Sequence, residues 1–466
     1  MFTRFEKLPR PASKLTNCFY CDNPLPATSE EHIFNSSWGG SYKDKNLICY
    51  KCNSSFSNSV DTAFAVYVRA VMNSWAFKGE RPKEVPKIVL ENEYFLDQGA
   101  KLKLKQPLIE DEILPDGRIK SHLTFNSKSH AKRWIEGDGM TTWLGRPPSA
   151  EEQEQLKKTI IEAQPDITDA KPQLISTQLN LREQYRSTAH TILKCLGFFL
   201  PEWVQGDLTK PIREFARYDK GDWRTFAIET EQLFSVAEQA TKVLGLGVYH
   251  NSVEVYWSSS TKMVVGVLTI LNRVKRSVVI AQNYSGPDAI LYVVENTHGS
   301  KKPHGSKRPP DSVFTKFDRN QLSVPLLGIQ YFSSPTKIYQ YFDDELTGLM
   351  GVYYPIDAIT ARLIQEIEKA NKKKLKLDQV SLEEYLNLFL AFLLDLGKVA
   401  GTSVDMNKAR SKLLEYGFAT LANQHVGKLY TDPDIESLMA IAFDLTVNDF
   451  YATELSAALT EPASRS

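Results

Sequence analysis

Two C-x-x-C pairs, Cys18 with Cys21 and Cys49 with Cys52, place four of the chain's five cysteines within its first 52 residues. Four thiolates presented as two knuckles suit the tetrahedral preference of zinc, and a closed four-sulfur site leaves no position open to substrate. The expected metal is therefore structural, with redox chemistry as the other use of such pairs. A module this short has little core of its own, so the bound ion supplies the missing stability. The same usage argues against a disulfide scaffold. Cys195, in the apolar stretch HTILKCLGFF, reads as a small buried hydrophobe.

At 466 residues the chain exceeds one ordinary core. The organisation expected is a zinc module over residues 1–80, a mixed α/β region over 81–350 and a helical region over 351–466, in all an α+β multidomain protein. Lysine plus arginine equals aspartate plus glutamate, 56 against 56, so any contact with nucleic acid must be local. Two basic stretches qualify, the arm Arg4 to Lys14 and residues 297–310, where HGSK occurs twice; for the second, a solvated connector is the plainer reading. Beyond Tyr430 seven acids stand against Arg465 alone, which fits a protein partner better than DNA. The apolar run Leu382 to Val399 is interrupted by Glu383, Glu384, Asp395 and Lys398 and reads as a bundle helix, so no membrane span is expected. The amino terminus lacks the apolar centre of a signal peptide, and a cytoplasmic location is the expectation.

Val60, Phe64, Val68, Val71 and Trp75 fall at helical spacing directly after the second cysteine pair. Short alternating runs over 83–126, with a turn at Asp116 and Gly117, predict a small antiparallel β unit. The capping box S-A-E-E at Ser149 predicts a helix that ends before Pro165. Helices are further expected over 181–199 and 225–243. Then VEVYWS, KMVVGVLTIL, SVVIAQN and AILYVVE predict an antiparallel sheet. From Ile356 onward helical periodicity dominates, with a second capping box at Ser381.

Between the knuckles the order is Glu31-His32-Ile33, Gly39-Gly40, Asn46-Leu47, and then C-x-x-C-Asn53 running into a helix. Over about residues 15–78 this resembles an HNH endonuclease of the ββα-metal superfamily, in the subset with a structural zinc. The resemblance implies that an acid-histidine pair ends the first strand, that an asparagine sits on the loop or second strand, and that the residue after the last cysteine begins the helix. It leaves the remaining four-fifths of the chain uncovered.

Phosphodiester hydrolysis needs a nucleophilic water, charge stabilisation and help for the leaving oxygen. His32, with an ordinary imidazole pKa near 6.5, suits the general base. Glu31 and Asn53 can offer oxygens to Mg²⁺ or Mn²⁺, which needs few protein ligands. Either neighbouring acid can reach such an ion; motif position favours Glu31 over Glu30. The resemblance gives Asn46 an orienting role, for the loop or for the imidazole, by hydrogen bonding its backbone. Singly, each of these residues has a plainer reading as a loop histidine, a surface acid, a turn former or a helix cap. The chain departs from the family where many members carry aspartate at Glu31, proline at Asn35 and histidine at Asn53. Asn58 is a second, weaker ligand candidate.

The expected function is a metal-dependent endonuclease acting on DNA, restriction-like or serving phage defence, and controlled by its C-terminal region, a partner protein or self-association. A zinc-dependent nucleic-acid-binding or scaffold protein without catalysis, and a nucleotide-signal sensor fused to a nuclease, are the competing readings. No G-x-x-x-x-G-K loop supports the last of these.

Overall fold

The computed structural model describes residues 6–7, 14–56, 59–76, 84–90, 94–99, 101–163, 179–230, 250–297, 310–316, 329–332 and 334–350, together with short stretches between 354 and 415. The chain divides into two compact units, one made of Met1–Pro86 with Leu179–Ser466 and the other of Lys87–Gln178. The boundary expected near residue 80 thus separates off only an inserted unit. Residues 1–86 and the later sequence fold together.

Strand β1 is Glu6–Lys7. The zinc module follows, with β2 Glu31–His32 antiparallel to β3 Lys43–Asp44, Glu31 opposite Asp44 and His32 opposite Lys43. Next come helix α1, Tyr50–Phe56, and helix α2, Ala65–Ser74, which lies inside the helical pattern expected from Val60 to Trp75. Gly40 makes the β2–β3 connection possible. A Cβ there would lie 2.0 Å from the Phe34 carbonyl oxygen, which is backbone and cannot step aside.

In the inserted unit, β4 Ile88–Val89, β5 Tyr94–Asp97 and β6 Lys101–Leu104 form one antiparallel sheet. β7 Leu108–Ile113 and β8 Ile119–Thr124 form a separate hairpin whose turn uses Gly117 at φ +79°. Helices α3 Lys128–Glu136, α4 Gly139–Leu144 and α5 Ala150–Glu162 complete it. The capping box at Ser149 is present in both directions. Ser149 accepts from the Glu152 amide, and the Glu152 carboxylate accepts from the Ser149 amide.

Helix α6, Leu181–Phe199, is the axis of the first unit. Asn180 caps it by accepting from the Glu183 amide, and Pro201 bars its continuation. It is buried on nearly all sides, including Gln184, Thr188, His190, Thr191 and Lys194. Helices α7 Pro201–Gln205 and α8 Lys210–Tyr218 pack beside it. After β9, Ala227–Thr230, come β10 His250–Ser258, β11 Met263–Ile270, β12 Val274–Gln282 and β13 Ala289–Asn296, the four strands that alternation foretells. With β14 Asp311–Lys316 and β15 Ile329–Tyr331 they build an antiparallel sheet in the order β1-β14-β13-β10-β11-β12-β9-β15. α6 packs on β10, β11 and β12. A Cβ on Gly266 would lie 2.7 Å from Ile192 Cδ1, so glycine lets the helix settle onto the sheet.

The helix expected over 225–243 is not where its first residues lie. Ala227 and Ile228 are buried in β9 and pair with β12, and sheet pairing overrides the local helical pattern. Residues 231–249 fall outside the described residues, as do most of 4–14, most of 297–310, the capping box at Ser381 and the acidic stretch beyond Tyr430. The described part of the region beyond 350 is helical, including Met406–Glu415, whereas the all-helical character expected for 351–466 extends over residues outside the description. Among the described residues no helix is long and apolar enough to cross a membrane.

Candidate active site and metal centre

The first knuckle is a turn. The Cys18 amide donates to the Asn23 carbonyl at 2.7 Å, and the Asp22 amide donates back to the Cys18 carbonyl at 2.9 Å. Asp22 sits at φ 56°, a left-handed conformation that aspartate tolerates. The second knuckle leads into α1, with Cys49 just before it and Cys52 in its first turn. All four Sγ atoms lie within 4.8 Å of one another, and Cys21 is 3.5 Å from both Cys49 and Cys52. A tetrahedral zinc with Zn–S bonds of about 2.3 Å needs sulfurs about 3.8 Å apart, so these residues fit the ion. A hydrogen bond from the Cys52 thiol holds Cys18 at about 5, and the same bond raises Cys52. Asn23 Nδ2 donates to Cys49 Sγ at 3.6 Å.

The acid-histidine pair sits on β2, where adjacent side chains take opposite faces. Glu31 is turned inward and is 8% exposed. Its Oε1 accepts from Lys194 Nζ at 2.7 Å and lies 3.7 Å from His190 Nε2. Burial alone would raise the Glu31 carboxyl, but the Lys194 charge and the groups of His190 outweigh it and hold the carboxyl at about 2. Burial and then the Lys194 charge lower His190 as well, to about 4, so its ring is neutral at ordinary pH. Its Nδ1 is 2.9 Å from the Tyr20 hydroxyl, and its ring stacks on Phe56 at 3.8 Å. Asp61, whose carboxyl burial raises, senses both Lys194 and Glu31.

His32, half-buried, occupies the β2 face opposite Glu31. Asn53, in α1, reaches the residues just before this strand: its Nδ2 is 3.4 Å from the Glu30 carbonyl oxygen and 3.4 Å from Ser29 Oγ. Both contacts use the amide nitrogen, which leaves Oδ1 as the atom offered to a cation. Asn46 acts inside the loop. Its backbone N–H and its Nδ2 both donate to Asp44 Oδ1, at 2.7 and 2.8 Å, which fixes the residue paired with Glu31. The structure therefore brings Asn53 to the residues just before the strand carrying His32, sets Glu31 on the other face and gives Asn46 the Asp44 carboxylate as its partner. Asn58 lies outside the described residues.

The body grips the module in three further places. Glu295, on β13, accepts from the Ser41 amide, the Ser41 hydroxyl and the Tyr42 amide at 2.7, 2.7 and 3.0 Å. Asn251, its cross-strand partner on β10, donates to the Trp38 carbonyl at 3.2 Å and accepts from the Leu271 amide. Arg213 donates to the Phe19 carbonyl at 2.6 Å. None of these residues, nor His190 and Lys194, stands out by motif. The one local signal is the pair His190 and Lys194, four residues apart on one face of α6.

The residues thus define a zinc-knuckle ββα module, with its hairpin, its helix and its four-sulfur cluster. Residues 18–66 match the family model described as HNH endonuclease. No curated protein and no solved structure matches the chain.

Proposed function

We propose that the chain is a metal-dependent endonuclease that hydrolyses phosphodiester bonds in DNA. The observation that carries this reading is the placement of Asn53 against the Glu30 carbonyl, one residue before the strand that bears His32, inside a hairpin-helix of HNH type.

In this reading His32, on the face of β2 turned away from Glu31, takes the proton of the attacking water. Asn53 Oδ1 would hold a catalytic Mg²⁺ or Mn²⁺, a hard cation that needs few protein ligands. The bound ion supplies Lewis-acid polarisation of the scissile phosphate and charge neutralisation at the leaving oxygen. Asn46 keeps Asp44, and through it the hairpin, in register. The four cysteines hold zinc and take no part in chemistry. A ββα module reads little sequence by itself, so the rest of the chain or a partner supplies target choice and restraint, as in a restriction-like or phage-defence nuclease.

Supercoiled plasmid incubated with the zinc-loaded protein and Mg²⁺ or Mn²⁺ tests the proposal. Wild type is expected to nick or linearise it, while His32→Ala stays inert with its zinc content unchanged. Equal cutting by the two proteins would sink it.

A further inference from the structure

The groups that fix Glu31 come from α6, 163 residues further along the chain and outside the matched segment. Lys194 and His190 are each 1% exposed and lie one turn apart on the same helix face. Tyr20, which bonds His190, stands between Cys18 and Cys21. Polar groups thus line up from the knuckle turn through Tyr20, hydrogen-bonded to His190, to Glu31, hydrogen-bonded to Lys194, with His190 Nε2 and Glu31 Oε1 in proximity at 3.7 Å and Phe56 stacked on the His190 ring. The Lys194 ammonium holds Glu31 Oε1 at 2.7 Å, and the carboxylate is largely buried.

We propose that Tyr20, His190, Lys194 and Glu31 form a positioning chain that fixes β2 and so aims the His32 imidazole from the strand's other face. On this proposal, which rests on the nuclease reading above, Glu31 acts through the fold rather than on the cation. Helix α6 is then part of the nuclease site, and the motif by itself is an incomplete enzyme.

The test uses full-length, zinc-loaded protein. Lys194→Met is expected to lower turnover on plasmid by about tenfold or more, as small misplacements of reacting groups do, with the Mg²⁺ concentration for half-maximal rate unchanged. Lys194→Arg, which keeps the charge and a donor, restores most of the rate. Glu31→Gln gives the same profile, and the double variant Glu31→Gln/Lys194→Met falls no further than either single one. If Glu31→Gln instead raises the Mg²⁺ requirement about tenfold while Lys194→Met lowers it, Glu31 is a ligand that Lys194 withholds and the proposal is overturned.

A second readout needs no cleavage. The His32 ring resonance, identified by its loss in His32→Ala, is expected to shift in Lys194→Met and to return in Lys194→Arg. Where Lys194→Met fails to fold, the double variant, which removes both buried charges, carries the comparison. An unmoved resonance in a folded, zinc-replete variant overturns the proposal. Wild type that cuts no DNA under either metal counts against the nuclease reading alone.

Discussion

The zinc cluster and the Glu31 cluster lie side by side in the first unit but are assembled from opposite kinds of sequence. All four thiols come from residues 18–52, each fixed by its own turn or helix start. The Glu31 cluster needs a strand at 31 and a helix at 190–194, which only the folded unit brings together. The first is a local device whose four thiols fit a structural metal. The second is a tertiary device stabilised by burial and by its mutual charges, so the two are expected to fail in different ways.

The largest effect is expected at the metal. Cys49→Ser removes one sulfur of a closed site, and structural zinc in small modules contributes on the order of 10 kcal/mol of folding free energy. The variant should therefore lose stoichiometric zinc and the cooperative melt of the first unit, checked by metal analysis and calorimetry. Retention of one zinc per chain would break the local picture.

Next in size is Lys194→Met, which strands a buried carboxylate and is expected to cost roughly 3 to 5 kcal/mol. Glu31→Gln/Lys194→Met should recover much of that loss, because both charges are gone. The pair also has a pH signature. The Glu31 carboxyl is held at about 2 against an ordinary 4.5, so its contribution is full above pH 4.5 and is lost as the pH falls towards 2. His190, depressed to about 4 from 6.5, adds a loss of the same sign between pH 6.5 and 4. Denaturant melts across this range should fall more steeply for wild type than for the double variant. Parallel slopes would mean that the cluster is not electrostatically coupled to folding.

Glu295→Ala comes third. The carboxylate accepts three hydrogen bonds from Ser41 and Tyr42, and its loss is expected to cost about 2 to 3 kcal/mol, since bonds to charged groups are the stronger kind. The melt should shift while zinc content stays at one per chain. Lost zinc would instead tie the body's grip to the knuckles.

Legibility followed the same division. The knuckles and the hairpin-helix order are readable because their spacing is set by local turns and by one helix start. Strands β10 to β13 were readable from β-branched alternation, and α5 from its capping box. Glu31 was visible as an acid beside a histidine, but its burial was not, because Lys194 looks like any lysine until α6 is laid on the sheet. The start of β9 was read as helix because the pairing of Ala227 and Ile228 with β12 is invisible in a local window. The insertion of 87–178 was missed for a related reason: chain order does not say which segments share a core.

The smallest effect sharpens the contrast by testing a local device in the other unit. At Ser149 the side chain accepts the Glu152 amide at 3.1 Å, and Glu152 Oε2 accepts the Ser149 amide at 2.7 Å. Arg146 also holds the Glu152 carboxylate, at the exposed end of α5. Ser149→Ala deletes one arm of the box and should cost about 1 kcal/mol of local stability. Because that bond spans three residues and touches nothing buried, the loss should appear as faster amide exchange in the first turn of α5. Zinc content and plasmid cleavage should not change. Slower cleavage in this variant would mean that the inserted unit helps to build the site, and the line drawn between local and tertiary devices would need to be redrawn.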